Sequence, residues 1–81
     1  MSDWKEKKML ITEIEKNPNE KIRVSIAEYR NSRFIDCRVY YLTDNGDWLP
    51  TKKGIALNSG VIDGVIKALE EAKVQFQLGE V

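Results

Sequence analysis

Lys21-Ile22-Arg23-Val24-Ser25-Ile26-Ala27-Glu28-Tyr29-Arg30, then Asn31-Ser32, then Arg33-Phe34-Ile35-Asp36-Cys37-Arg38-Val39-Tyr40-Tyr41-Leu42, is the stretch that decides the fold. Its side chains change character with a period of two, the period of a β-strand. In the first segment Ile22, Val24 and Ile26 point one way and Arg23, Ser25, Ala27 and Tyr29 the other. In the second, Ile35, Cys37, Val39 and Tyr41 share one face, and Phe34, Asp36, Arg38, Tyr40 and Leu42 the opposite one. Both runs are rich in the β-branched and aromatic residues that suit a pleated surface. Asn31-Ser32 reads as a two-residue turn joining them into a hairpin.

Outward from this hairpin the pattern holds. Asn45-Gly46 is a strong hairpin signal, and Asp47–Pro50 and Lys53–Leu57 read as two short strands around a Pro50-Thr51 corner. Upstream, Leu10, Thr12 and Ile14 alternate within Met9–Glu15, a short strand inside an N-terminal arm of residues 1–20, and Asn17-Pro18-Asn19 breaks the chain. Downstream, Val61, Ile62, Val65, Ile66, Leu69 and Ala72 recur at helical spacing, so Ser59–Lys73 reads as an amphipathic helix capped by Asn58 or Ser59. Gly60 and Gly64 each weaken it by about 1 kcal/mol relative to alanine, so packing rather than propensity must hold it. Val74–Leu78 suits either a helical extension or a strand. The order is strands first and one helix last: an α+β domain with a meandering antiparallel sheet.

Eighty-one residues make one domain, and a chain this short buries only roughly 60–65% of its unfolded surface. A single cysteine excludes an internal disulfide, and the absence of histidine removes the commonest general base and metal ligand. No catalytic constellation, metal site or cofactor is expected. Asp44-Asn45-Gly46-Asp47 lacks the acidic spacing of a calcium loop, and Asp63, Glu70 and Glu71 read as a solvated helix face rather than a nuclease cluster. Cys37 falls on the apolar strand face, as a buried structural thiol would. The helix is apolar on two rows, Val61/Val65/Leu69 and Ile62/Ile66; one suits the sheet and the other a second subunit, which points to a dimer. The charged N-terminus and the lack of a long apolar run are expected of a soluble, intracellular chain without a membrane span.

The net charge is zero, but it is unevenly spread: +3 from Lys21 to Leu57, −1 before and −2 after. With one helix to cover one sheet face, function is sought on the other. That face carries Arg23, Tyr29 and Arg38, with Arg30, Lys52 and Lys53 at strand edges. Cations interleaved with aromatics fit single-stranded nucleic acid, the cations following phosphates and the rings stacking on bases. The same residues also suit an ordinary solvated sheet with cross-strand tyrosine contacts, and pattern alone does not choose. Strict alternation puts Tyr40 beside Arg38 and Tyr41 inward. Trp48 reads as an exposed stacking platform or a lid on the core edge.

Phe34-Ile35-Asp36-Cys37-Arg38-Val39-Tyr40-Tyr41, followed by Gly46-Asp47-Trp48-Leu49-Pro50-Thr51-Lys52-Lys53-Gly54-Ile55-Ala56-Leu57-Asn58, resembles the core of the transcriptional positive cofactor four family. That core reads approximately I-D-I-R-E-Y-Y/W, then G-E-x-x-P-x-[KR]-K-G-I-S-L. Val24-Ser25-Ile26-Ala27-Glu28-Tyr29-Arg30 looks like the family's V-S-V-R-D-F-K strand and turn. The correspondence runs without gaps from about Lys21 into the helix, the domain expected over residues 21–81.

The resemblance implies a curved four-stranded antiparallel sheet followed by a helix (β-β-β-β-α), dimerised through the helices, with single-stranded DNA bound along the sheets. It implies a non-enzymatic, sequence-tolerant role in transcription, as a coactivator, or in DNA replication, recombination or repair. The implied nucleic-acid-binding residues are Arg23, Tyr29, Arg30, Arg38, Tyr41, Trp48, Lys52 and Lys53, with Tyr29 and Tyr41 at the family's stacking positions. RNA and unwound duplex remain open as ligands. So do transcription or replication proteins as partners, and a module that binds transcription machinery with little nucleic-acid affinity is the alternative.

Ala27, Ser32 and Leu49 stand where the family commonly has basic residues, and Val39 replaces an acidic one. Fewer cations imply a surface weighted towards aromatics, with Trp48 compensating for Leu49. The lysine- and serine-rich tail of eukaryotic members has no counterpart here, which fits a prokaryotic or viral member. The expected location is then the cytoplasm or nucleoid of a prokaryote or infected host, or the nucleus for a eukaryote.

Overall fold

The computed structural model describes residues 7–79. Four strands form one antiparallel sheet in sequence order: β1 (Lys7–Asn17), β2 (Glu20–Tyr29), β3 (Ser32–Leu42) and β4 (Trp48–Leu57), followed by a helix, α1 (Ile62–Leu78). This is the expected α+β arrangement. The short strand expected at Met9–Glu15 is eleven residues long and pairs along β2, with bulges between Leu10 and Thr12 and between Glu15 and Asn17.

Local chemistry explains the connections. At Asn17 the side-chain oxygen accepts the Asn19 N–H at 2.9 Å, and its amide donates to Glu20 Oε1 at 2.8 Å, closing the first turn around Pro18. The second turn sits one residue earlier than Asn31-Ser32: Tyr29 pairs with Ser32, and Arg30 and Asn31 are its two central residues. Both have positive φ (52° and 68°), the mirror-image geometry that matches strand twist. The third connection is a longer loop than a two-residue Asn-Gly turn. Leu42 pairs with Trp48, the Gly46 N–H donates to the Thr43 carbonyl at 3.0 Å, and Asp47 N–H donates to Thr43 Oγ1 at 3.0 Å.

The Pro50-Thr51 corner is a bulge inside one continuous strand. Between the pairs Arg38–Gly54 and Tyr40–Pro50 the register shifts, and β4 carries two residues more than β3. Thr51 holds the bulge by donating its hydroxyl to the Val39 carbonyl at 2.7 Å and accepting the Lys53 N–H at 3.1 Å. β4 is an edge strand, where a proline without an N–H costs no ladder bond.

Helix α1 starts three residues later than expected, with no side-chain cap at Val61. Asn58 closes the preceding turn instead, its Oδ1 accepting the Gly60 N–H at 2.8 Å. Val74–Leu78 continues the helix, which stops at Gly79 in a left-handed conformation (φ 76°) that satisfies the last carbonyls.

The apolar sheet face (Ile22, Val24, Ile26, Ile35, Cys37, Val39) is only half-buried, because α1 does not lie across it. No α1 residue is buried, and the helix meets the sheet around Ile62, near Ile26 and Ile35. A single chain therefore does not use either helix row to cover its sheet as expected. The radius of gyration is 15.2 Å, against about 12 Å for a compact domain of this length.

Of the four buried residues among those described, three lie on the polar face, Ser25, Ala27 and Asp36; the fourth, Leu57, pairs with Ile35 on the apolar face. Asp36, 4% exposed, receives two parallel bonds from Arg38, Nε to Oδ2 at 3.2 Å and Nη2 to Oδ1 at 3.0 Å. Lys8 Nζ adds a contact at 3.5 Å. Arg38 Nη1 donates to the Thr51 carbonyl at 3.0 Å, so the guanidinium lies flat across Gly54. A Cβ on Gly54 would sit 2.9 Å from Arg38 Cζ and 2.8 Å from the Cys37 carbonyl oxygen. Gly54→Ala is expected to destabilise the fold by about 1–3 kcal/mol, read as a lower urea midpoint; an unchanged midpoint would show that the guanidinium is not packed there.

Candidate nucleic-acid interface

The uninterrupted β2–β3 register places Lys21 opposite Tyr40, Arg23 opposite Arg38, Ser25 opposite Asp36 and Ala27 opposite Phe34. These residues share one face. On β1, Glu13 pairs with Arg23 and Glu15 with Lys21; on β4, Pro50 pairs with Tyr40 and Gly54 with Arg38.

Two cations lie over rings on this face. The Arg23 guanidinium carbon is 4.4 Å from the Tyr40 ring centroid, and Lys21 Nζ is 4.3 Å from that of Trp48. Lys21 reaches Trp48 across β3, since Trp48 pairs with Leu42. Both cations also meet one carboxylate: Arg23 Nε donates to Glu13 Oε2 at 2.7 Å and Lys21 Nζ to Oε1 at 3.0 Å. Opposed like charges destabilise a cross-strand pair. Here Glu13 compensates Arg23, and Asp36 compensates Arg38.

Arg23, Arg38 and Trp48 of the sequence-derived set are thus brought to one face. Trp48 is half-buried under Lys21 rather than a bare platform. Tyr29 and Arg30 sit at the β2–β3 turn, the Arg30 guanidinium carbon 5.3 Å from the Tyr29 ring. Lys52 and Lys53 are exposed on the bulged part of β4. Tyr41 faces the other way from Tyr40 and lines a hollow with Pro18, Asn19 and Glu20 near the first turn. Lys21 joins the site although the sequence-derived set omitted it; its alternation with Arg23 carried the signal. Glu13 had no such signal, because its role depends on the β1–β2 register.

The surrounding electrostatics are those of ionised carboxylates. Hydrogen bonds from Lys21 and Arg23 hold the Glu13 pKa below its ordinary value, and the Asn17 amide and nearby Lys16 do the same for Glu20. Burial, then the neighbouring Asp36 charge, pushes the Cys37 thiol up. Among the described residues no group of histidine, cysteine or carboxylate side chains is placed to hold a metal ion. No helix among them is long and apolar enough to cross a membrane.

Comparison with known proteins bears on this geometry. The family model for transcriptional coactivator p15 (PC4) matches residues 16–68, which span β2 to β4 and enter α1. The chain belongs to the PC4 family. It is similar to the RNA polymerase II transcriptional coactivator SUB1 of Saccharomyces cerevisiae, 41% identical over 46 residues. That match covers 56% of this chain but only 16% of the yeast protein. A crystal structure of a PC4 homologue from Burkholderia pseudomallei is similar at a TM-score of 0.77 and 30% identity, covering 83% of this chain and 98% of that one. The bacteriophage T5 homologue of PC4, described as implicated in recombination-dependent DNA replication, shares the fold at a TM-score of 0.55 and 20% identity, covering 93% and 89%. PC4 membership supports a general DNA-binding role.

A raised thiol pKa lowers the reactive thiolate fraction near neutrality. Cys37 is expected to react with a disulfide reagent several-fold more slowly in the native protein than in urea. Equal rates would show that the thiol is open to solvent.

Proposed function

We propose that this chain is a sequence-tolerant single-stranded DNA-binding homodimer without enzymatic activity, acting inside the cell in transcription, as a coactivator, or in DNA replication, recombination or repair. The observation that carries the reading is the Lys21–Arg23–Tyr40–Trp48 cluster, in which cations and rings alternate across β2, β3 and β4. Phosphates recruit the cations, and bases stack on rings without regard to sequence. Tyr29 and Arg30 extend the cluster at the β2–β3 turn, and Lys52 and Lys53 supply charge at the β4 edge. Arg38 acts mainly by holding Asp36 and Gly54 in place. The family resemblance favours Tyr41 for stacking, whereas the register sets Tyr40 beside Arg23 on the face of the cluster and favours Tyr40 as the stacking ring.

The second copy is proposed on the exposed apolar surface. Ile66, Leu69, Val74, Phe76 and Leu78 of α1 are half or more exposed, as is Ile55 on the sheet. Two copies related by a two-fold axis bring identical apolar patches together, which relieves the cost of leaving them in water. A dimer melts at a temperature that rises with protein concentration, and that rise is the expected result; a monomer by sedimentation across the micromolar range would exclude it. Protein partners in transcription or replication are compatible with the remaining surface.

Fluorescence anisotropy with labelled oligo-dT tests the main reading. Each base–ring stack is worth roughly 1–3 kcal/mol, so Tyr29→Ala and Tyr40→Ala are each expected to weaken binding at least several-fold without loss of fold. A loss in Tyr41→Ala but not in Tyr40→Ala would move the strand to the other face. Absence of oligo-dT binding at low salt, with tight capture of a transcription protein, would replace the reading by that of a protein-interaction module.

A further inference from the structure

Glu13 lies before the family-matched segment of residues 16–68, yet it sits at the centre of the cation–ring cluster. Its two oxygens take one bond from each of the two cations: Arg23 Nε at 2.7 Å on Oε2 and Lys21 Nζ at 3.0 Å on Oε1. Those cations in turn lie over Tyr40 and Trp48. The carboxylate therefore fixes four side chains from three other strands in one arrangement. A carboxylate and a phosphate use the same geometry to accept from guanidinium and ammonium donors, so Glu13 occupies the position a phosphate oxygen would take.

Resting on the single-stranded DNA reading, we infer that Glu13 is an internal competitor for phosphate that sets the affinity and salt response of this surface. With Glu13 in place, Lys21 and Arg23 share one carboxylate that offsets one of their two charges, and each cation lies over a ring, Trp48 and Tyr40. A bound strand must take the cations from Glu13 and free the rings from the cations, which breaks the two ion pairs and the two cation–ring contacts together. Glu13 is displaceable because its side chain is one-third exposed (34%) and stands on an edge strand. Only strands that bring both a phosphate and an unstacked base to the site recover what is broken. Paired duplex offers the phosphates but not the bases, so the carboxylate also favours single strands over duplex.

Glu13→Gln tests this, with affinity for oligo-dT and for a duplex measured across a salt series. The variant is expected to bind oligo-dT several-fold more tightly at low salt. Its log–log salt dependence should steepen by about 0.7, since removing one carboxylate leaves one further unit of positive charge for the phosphates. Its preference for single strands over duplex should narrow. Lys21→Gln should weaken binding more in the Glu13→Gln background than in the wild type, where the phosphate contact of Lys21 is offset by the loss of its bond to Glu13. If Glu13→Gln loses the native circular dichroism, Glu13→Asp, whose shorter side chain cannot span both cations, is expected to shift affinity and slope in the same direction. Wild-type binding with unchanged affinity and slope in a folded variant overturns the role of Glu13 and leaves the single-strand reading standing. No oligo-dT binding by wild type or variant overturns both.

Discussion

The sheet is organised around a carboxylate that water does not reach. Asp36 is 4% exposed in the centre of β3, and an ionised group there is tolerable only if its oxygens are matched by cationic donors. Arg38, two residues along the same strand, supplies a two-pronged match, and in doing so its guanidinium crosses onto β4. That crossing needs a residue without a side chain at Gly54 and a carbonyl at Thr51 turned towards it, which the β4 bulge provides. Removing one member of a buried pair typically costs about 3–5 kcal/mol; Arg38 is partly exposed, so the figure here is an upper bound. The arginine and glycine of the family's sequence pattern are thus two halves of one packing arrangement, and the bulge between them shapes the strand that carries Lys52 and Lys53.

The face that carries the ion pair holds three of the four buried residues among those described. The apolar face has the opposite problem. Ile22, Val24, Ile26, Cys37 and Val39 are only half removed from water, and α1 leaves the sheet with its apolar residues uncovered. Two uncovered apolar surfaces on one small chain carry a hydrophobic free-energy cost that grows with area. The fold of one chain thereby leaves both apolar surfaces facing water, while the polar face carries the cations and rings.

Much of this was legible in the sequence. Alternation identified β2 and β3 nearly to the residue and sorted Arg23, Arg38 and Tyr40 from Ile22, Cys37 and Tyr41, because a strand buried differently on its two sides must repeat with period two. What the sequence hid depended on distances between strands. Pro50 suggested a corner, since nothing local shows that Thr51 will tie both ends of a bulge. Asn58 and Ser59 look like helix caps, yet the helix starts only at Ile62, and periodicity leaves Val74–Leu78 open between helix and strand where the structure continues the helix to Gly79. The sequence leaves Trp48 as either a stacking platform or a lid on the core edge; Lys21 covers it from two strands away, a contact set by register and twist rather than by sequence spacing.

The zero net charge of the chain takes on a different meaning in this structure. A surface that binds phosphate is usually recognised by excess positive charge, yet here each central cation already has a carboxylate partner: Arg23 and Lys21 share Glu13, and Arg38 pairs with Asp36. The two matches are not equivalent. Asp36 is buried and its arginine is committed to β4, so that pair belongs to the fold. Glu13 is exposed, and exposed ion pairs contribute little because solvent screens them. A phosphate can displace the second carboxylate at small cost but not the first. Net charge therefore underestimates what such a face can bind, and the relevant quantity is the number of cations whose present partner is cheap to lose.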